Sequence, residues 1–210
     1  MMIMDTNDDD LEVATVLAQG LGSVSESKSP TSGRQSNYSH RRNNLLFLAE
    51  RLHQLAAKGE LIAVKELVRE DGHINELDEQ SLTPLMWAAV YGQTDVVTFL
   101  VQAGANTEIY NDEGITALML ACFHGNNGVV KVLVESGVDV DQVDVEGNSA
   151  LLYAVFGDQV ECTRLLLEKG VDLTQRNLQG ISAMDAAVKL HHRNVQKCIE
   201  AYLVRCLSGS

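Results

Sequence analysis

Apolar residues keep to one helical face in two stretches of this chain that match each other position for position. Val96, Val97, Phe99, Leu100 and Val101 are answered 33 residues later by Val129, Val130, Val132, Leu133 and Val134. Recurrence near 3.6 residues predicts amphipathic helices. Each stripe follows a shorter segment with small residues at its centre: Thr83-Pro-Leu-Met-Trp-Ala-Ala-Val-Tyr-Gly92, Thr116-Ala-Leu-Met-Leu-Ala-Cys-Phe-His-Gly125 and Ser149-Ala-Leu-Leu-Tyr-Ala-Val-Phe-Gly-Asp158. The same step backwards reaches Glu50-Arg-Leu-His-Gln-Leu-Ala-Ala-Lys-Gly59, and forwards it reaches Ser182-Ala-Met-Asp-Ala-Ala-Val-Lys-Leu-His191. A period of this length predicts an all-α repeat solenoid of about five helix-turn-helix units with β-hairpin loops. The repeats fall near residues 50–82, 83–115, 116–148, 149–181 and 182–207.

The residues that punctuate the repeat have local reasons. Thr83, Thr116, Ser149 and Ser182 place a hydroxyl at the start of the first helix, where it accepts a bond from an otherwise unpaired backbone N–H. Pro84 stands at the first helical position, where its missing N–H costs nothing. The pairs Ala88/Ala89, Ala121/Cys122 and Ala154/Val155 keep this helix thin, so neighbouring units approach closely. Gly92 and Gly125 predict left-handed stops, and Gly104, Gly137 and Gly170 close the second helix. Asn111-Asp-Glu-Gly114 and Asp144-Val-Glu-Gly147 then read as tight turns of projecting hairpins.

At the ends the pattern becomes polar, as terminal units of a stack require. Glu50-Arg51 replaces Thr-Pro, Glu66 falls where Phe99 and Val132 sit, and Asp185, Lys189 and His191 interrupt the last unit. The expected organisation is a repeat domain over 44–207 preceded by an acidic, serine-rich tail over 1–43. In that tail Asp5, Asp8, Asp9, Asp10, Ser23, Ser25, Ser27, Ser29, Ser32 and Ser36 predict disorder. Within it, Leu11 to Leu21 reads as a short helix that needs a partner to be stable.

Composition narrows the setting. An apolar share of 45% with 2 prolines fits a helical globular domain. No stretch approaches the roughly 20 apolar residues that span a bilayer, and the acidic N-terminus lacks a secretory core, which predicts a protein of the nucleus and cytoplasm without membrane insertion. The 4 cysteines, Cys122, Cys162, Cys198 and Cys206, form no C-x-x-C pair, and the first two fall on packing positions, as reduced core thiols would. The net charge of -13 is uneven: the three units 50–82, 83–115 and 116–148 carry -4 each, 149–181 carries -1 and 182–210 carries +2. Such a stack repels phosphate over most of its length, so DNA is expected only indirectly, through a complex. Acidity for solubility accounts for most of these charges equally well. Asp78, Glu79, Asp112, Glu113, Asp144 and Glu146 nevertheless lie on one hairpin edge, which favours a ligand with Lys or Arg at one end.

The 33-residue period with its Thr-Pro-Leu-x-x-Ala-Ala opening resembles the ankyrin repeat. A more specific resemblance lies in Leu52-His-Gln-Leu-Ala-Ala-Lys-Gly-Glu-Leu61, Thr83-Pro-Leu-Met-Trp-Ala-Ala89, Leu151-Leu-Tyr-Ala-Val-Phe-Gly157, Met184-Asp-Ala-Ala-Val188 and Asn194-Val-Gln-Lys-Cys-Ile-Glu200. These segments are similar to the family that contains the ankyrin-repeat subunit of the regulatory factor X complex and ankyrin-repeat family A protein. The resemblance covers 45–207. It implies a groove on the inner helices that accepts extended Pro-x-Leu-Pro-x-Ile/Leu segments, with Trp87 and Tyr153 matching the family's groove aromatics. It also implies an adaptor in transcription complexes or on protein tails, with regulatory factor X subunits or histone deacetylases as partners. Ile109-Tyr-Asn-Asp-Glu-Gly-Ile115 departs towards plain ankyrin consensus, and the N-terminal region has no counterpart.

The residues point to the same face on their own. Trp87, Leu120 and Tyr153 occupy one register position, and Tyr91, Phe123 and Phe156 lie close to it. Aromatics aligned on the inner helices would stack on proline rings and offer polar tips to peptide carbonyls. For a single aromatic a core role between repeats would be preferred, but this many in register predict an exposed apolar patch. The expected peptide-binding set is therefore Trp87, Tyr91, Leu120, Phe123, Tyr153 and Phe156. No catalytic residue, metal ligand or cofactor is expected. His53 stands where a structural histidine belongs, His191-His192 would diverge around a helix, and neither a G-x-S-x-G elbow nor a glycine-rich phosphate loop occurs. The alternative is an enzyme-inhibitory ankyrin protein acting through the tips of its hairpins.

Overall fold

The computed structural model describes residues 51–208. The tail expected over 1–43 and its short helix lie outside the described residues. Among the described residues ten helices alternate between two layers. The inner layer holds α1 (residues 51–58), α3 (Pro84–Val90), α5 (Ala117–Phe123), α7 (Ala150–Phe156) and α9 (Ala183–Lys189). The outer layer holds α2 (Leu61–Asp71), α4 (Thr94–Gln102), α6 (Asn127–Glu135), α8 (Val160–Lys169) and α10 (Arg193–Leu207). From α3 onward each inner helix packs on its own outer partner and on the inner helices of neighbouring units: α5 lies between α3 and α7, and α6 between α4 and α8.

The caps form largely as the sequence predicts. Thr83 and Thr116 accept from the backbone N–H of Met86 and Met119, while the methionine sulfurs accept from the threonine N–H groups at 3.5 Å, a sulfur version of the reciprocal capping box. Ser182 does the same with Asp185, whose carboxylate also takes the serine hydroxyl at 2.7 Å. Asp185 thus closes a helix start as well as making the last unit polar. Ser149 is the exception: its backbone is extended as a cap requires, but its side chain makes no capping bond.

Between units the loops turn through hairpins, the last three pinned by one antiparallel bridge rather than a strand ladder: Tyr110 to Thr116, Val143 to Ser149 and Arg176 to Ser182. Neighbouring hairpins are tied by backbone bonds from Val145 N–H to Glu113 and from Leu178 N–H to Glu146.

The core is the seam between layers. Val64, Val97, Leu100, Val130, Leu133, Leu166 and Ile199 are fully or almost fully buried, and each such side chain removed from water contributes about 1.5–3 kcal/mol. Ala88, Ala89, Ala121, Cys122, Ala154 and Val155 have no exposed surface, so the expected close approach of inner helices is real. At the ends Glu66, Lys189 and His191 are exposed and Asp185 is half-buried, in keeping with a polar finish.

A polar ladder complements this apolar seam. Gln93 Nε2 donates to the Ala57 carbonyl, Asn126 Nδ2 to those of Ala89 and Val90, and Gln159 Nε2 to that of Phe123; His192 Nδ1 meets the Val155 carbonyl. These side chains begin each second helix one 33-residue step apart and bind the open end of the preceding inner helix, whose last carbonyls have no helical partner. Gly92 leaves room for this contact, with φ at 71° and a hypothetical β-carbon only 2.7 Å from Asn126 Oδ1. In the fourth unit the left-handed residue is Asp158, at φ 53°, while Gly157 keeps an ordinary φ. There glycine is required by proximity, because a β-carbon would stand 2.1 Å from the Phe123 carbonyl oxygen.

Gly92→Ala and Gly104→Ala separate these two demands on glycine. Gly104 has φ 89° and open space around it, so alanine there costs about 1–2 kcal/mol of left-handed strain. Gly92→Ala loses that and the Asn126 contact, about 2–3 kcal/mol in total. Urea unfolding of the two variants measures the difference, and equal losses would contradict the ladder.

Candidate functional site

The short inner helices present one side to their outer partners and leave a row of larger side chains on the other. Trp87 on α3, Leu120 on α5 and Tyr153 on α7 share a register position because the repeat is 33 residues. Trp87 is half-buried, whereas Leu120 and Tyr153 are only 3% and 2% exposed. Here the expectation of an exposed patch needs correction: Leu120 and Tyr153 form the floor beneath the face. Its accessible part consists of Trp87, Phe123 and Phe156, all half-buried, and Tyr91, which is 43% exposed.

These rings fall into two contacting groups. Trp87 and Tyr91 lie stacked with centroids 6.0 Å apart and planes 12° from parallel. Tyr153 meets Phe123 at 6.5 Å and Phe156 at 6.4 Å, both edge-on, distances at which aromatic quadrupoles attract. His124 stands edge-on to Phe123 at 5.3 Å. Burial pushes the His124 pKa down, which keeps the ring neutral and the face uncharged.

The polar tips of the two large aromatics do not point to a ligand. Trp87 Nε1 donates to Asp78 Oδ2 at 2.5 Å, and the Tyr153 hydroxyl donates to Asp144 Oδ2 at 2.8 Å. The expectation that they would meet peptide carbonyls is therefore overturned. Burial first, and the neighbouring Asp144 carboxylate second, push the Tyr153 phenol far above its ordinary value, so it stays protonated and donating.

The same contacts revise the acidic hairpin edge. Glu79, Asp112 and Glu113 are exposed and Glu146 is half-exposed, but Asp78 is half-buried and Asp144 is buried. Asp144 accepts from the N–H groups of Glu146 and Asn148, the Asn148 amide and the Tyr153 hydroxyl. It is a structural carboxylate and not a charge offered to a partner. The edge also carries apolar side chains that the sequence reading passed over: Leu77, Tyr110, Val145 and Leu178 are 49%, 57%, 64% and 80% exposed. Their signal was their place in the loop register, where polar residues are the default.

His53 Nε2 meets the Glu76 carbonyl at 2.9 Å, the structural bond its position predicts. Cys122 and Cys162 are buried free thiols, Cys198 is half-buried and Cys206 exposed. Among the described residues no group of His, Cys, Asp or Glu could hold a metal ion, and no helix is long and apolar enough to cross a membrane.

Stacked helix pairs joined by hairpins define a repeat-built module for protein–protein interaction. A family model for ankyrin repeats (3 copies) matches residues 52–144 and 100–177, and the chain belongs to the ankyrin-repeat family. Among curated proteins it is similar to human Ankyrin repeat family A protein 2, 38% identical over 127 residues that cover 49% of this chain and 41% of that protein. The mouse form is 39% identical over 127 residues with the same coverage. Human DNA-binding protein RFXANK is 47% identical over 55 residues, 26% of this chain and 21% of that protein. The match thus spans about two fifths of the length of the first of these relatives.

Tyr153→Phe removes a donor from a buried carboxylate and is expected to cost about 1.5–3 kcal/mol at neutral pH. The pH dependence has a definite sign. A phenol whose pKa is raised on folding stabilises the fold fully below its unfolded value near 10 and loses that contribution as pH rises past it. Stability measured from pH 8 to 11 should therefore fall more steeply in the wild type than in Tyr153→Phe; parallel curves would exclude the Tyr153–Asp144 bond.

Proposed function

We propose that residues 44–207 are a non-enzymatic adaptor whose inner-helix groove binds extended Pro-x-Leu-Pro-x-Ile/Leu segments. The observation that carries this reading is the pair of aromatic groups on the inner helices: Tyr91 stacked on Trp87, and Phe123 and Phe156 around buried Tyr153. Flat rings in a shallow row suit proline rings and leucine or isoleucine side chains, which bind by contact area and need few hydrogen bonds. Since Trp87 and Tyr153 have their polar tips bound to Asp78 and Asp144, the selectivity of the face is for shape and apolar surface.

The acidic edge adds direction. Glu79, Asp112 and Glu113 lie exposed on the first two hairpins, so Lys or Arg flanking the motif would gain association rate there. Similarity to the relatives named above supports a role as a transcription-complex subunit or co-regulator acting in the nucleus and cytoplasm, with regulatory factor X subunits or histone deacetylases as partners. One of those relatives is named a DNA-binding protein; in this chain the charge of -13 favours DNA contact through other subunits.

Anisotropy of a fluorescein-labelled Pro-x-Leu-Pro-x-Ile peptide tests the groove. Micromolar affinity, about -8 kcal/mol, is expected, with no binding of a scrambled peptide. Trp87→Ala should weaken binding by about 2 kcal/mol, roughly thirtyfold. Tyr91→Ala, at an exposed position with little effect on folding, should weaken it in the same direction. Lys131→Ala, on an outer helix, should change nothing. Folded Trp87→Ala and Tyr91→Ala proteins that bind as tightly as the wild type would refute the groove.

A further inference from the structure

One register position of the hairpins alternates between two residues of nearly identical shape. Asp78, Asn111, Asp144 and Asn177 follow one another at the 33-residue step. In all four, one side-chain oxygen closes the turn by accepting two backbone N–H groups. Asp78 takes those of Gln80 and Leu82, Asn111 those of Glu113 and Ile115, Asp144 those of Glu146 and Asn148, and Asn177 those of Gln179 and Ile181. As a turn device, then, asparagine serves as well as aspartate.

The difference lies in the second side-chain atom and in what stands nine residues on. After Asp78 comes Trp87, after Asn111 Leu120, after Asp144 Tyr153 and after Asn177 Ala186. Carboxylate occurs where the inner helix offers a donor, and amide where it offers none. Asp78 Oδ2 accepts from Trp87 Nε1 and Asp144 Oδ2 from the Tyr153 hydroxyl. Opposite Trp87 an amide nitrogen would set two donors against each other, and opposite Tyr153 it would make the hydroxyl accept instead of donate.

We infer that Asp78 and Asp144 are positioning residues of the groove, each fixing one aromatic ring, Trp87 on the face and Tyr153 beneath it, through the oxygen that does not accept the backbone N–H groups of its turn. This rests on the groove reading above and deepens it. A ligand then meets Trp87 already oriented, and Phe123 and Phe156 resting on a Tyr153 that is already fixed in the floor, which preserves affinity that would otherwise go into ordering side chains. At Asp78 and Asp144 the hairpin and the groove are thereby one device, and the loss of either carboxylate is felt at the peptide.

Asp78→Asn is the clean probe, because Asn111 and Asn177 show within this chain that asparagine keeps the turn. Trp87 is the only tryptophan, so its indole N–H gives a single side-chain resonance in the proton–nitrogen spectrum of the full chain. In Asp78→Asn that resonance should move upfield as the bond to the carboxylate is lost. The dissociation constant for the labelled Pro-x-Leu-Pro-x-Ile peptide should rise about fivefold or more. Asp144→Asn, acting through Tyr153, should weaken binding in the same direction and serves if the first variant does not fold. Asn111→Asp, facing Leu120, and Gly104→Ala, strained but on the outer side, should leave both the indole resonance and the affinity unchanged. An unmoved indole resonance in Asp78→Asn overturns the inference, as does unaltered affinity with a moved resonance. If the wild-type protein does not bind the peptide at all, the groove reading falls and this role falls with it.

Discussion

No helix pair in this chain can bury its apolar face alone; each depends on a neighbour at van der Waals distance. The inner helices are only seven residues long in the units from α3 to α9, too short to be stable in isolation. What makes them helices is the packing of small residues against the next unit, together with a side-chain cap at the start of α3, α5 and α9. Close approach is therefore the constraint from which the rest follows. It dictates the small pairs at the centre of each inner helix, the glycine, Asp158 or His191 at its end, and the side chain from the next unit that closes the exposed carbonyls. Gly157 shows the constraint at its tightest, since the site has no room for a β-carbon.

The same constraint creates the candidate binding face. With the inner helices pressed together, side chains at one register position come to lie in a row. The inner ones sink into the seam, as Leu120 and Tyr153 do, and those nearer the helix ends remain at the surface, as Tyr91 does. A buried phenol needs a partner for its hydroxyl. The hairpin carboxylate of Asp144 meets that need, and Asp78 does the same for the indole of Trp87. Surface chemistry on this protein is thus divided between an uncharged aromatic face and a hairpin edge whose charge is smaller than a count of acidic residues suggests.

Much of the fold was legible because a repeat displays its own rules several times. The period located the helices, the hydroxyl caps, the glycine stops and the histidine at position 53 without reference to tertiary structure. Less could be read at the site. Trp87 and Tyr153 stand out in sequence as large aromatics in register, and nothing in a register distinguishes a ring lying on a face from one lying beneath it; burial depends on how far the inner helices slide together. The acidic edge misled for a similar reason, since Asp144 and Asp112 look alike as letters while one is turned inward and the other outward. A signal for the inward pair existed in the recurrence of aspartate nine residues before a donor aromatic and of asparagine before Leu120 and Ala186. The paired pattern becomes meaningful only once the turn is seen to need a single oxygen.

The central claim is that the inner-helix face, and not the hairpin tips or the outer helices, receives the ligand. Mapping amide and aromatic resonance changes in the isotope-labelled full chain as unlabelled Pro-x-Leu-Pro-x-Ile peptide is added tests it most directly. The account predicts saturable changes concentrated at Trp87, Tyr91, Phe123 and Phe156 and on α3, α5 and α7, with α4, α6 and α8 silent. Changes confined to the tips around Asp112, Val145 and Leu178, or to the outer helices, would contradict it.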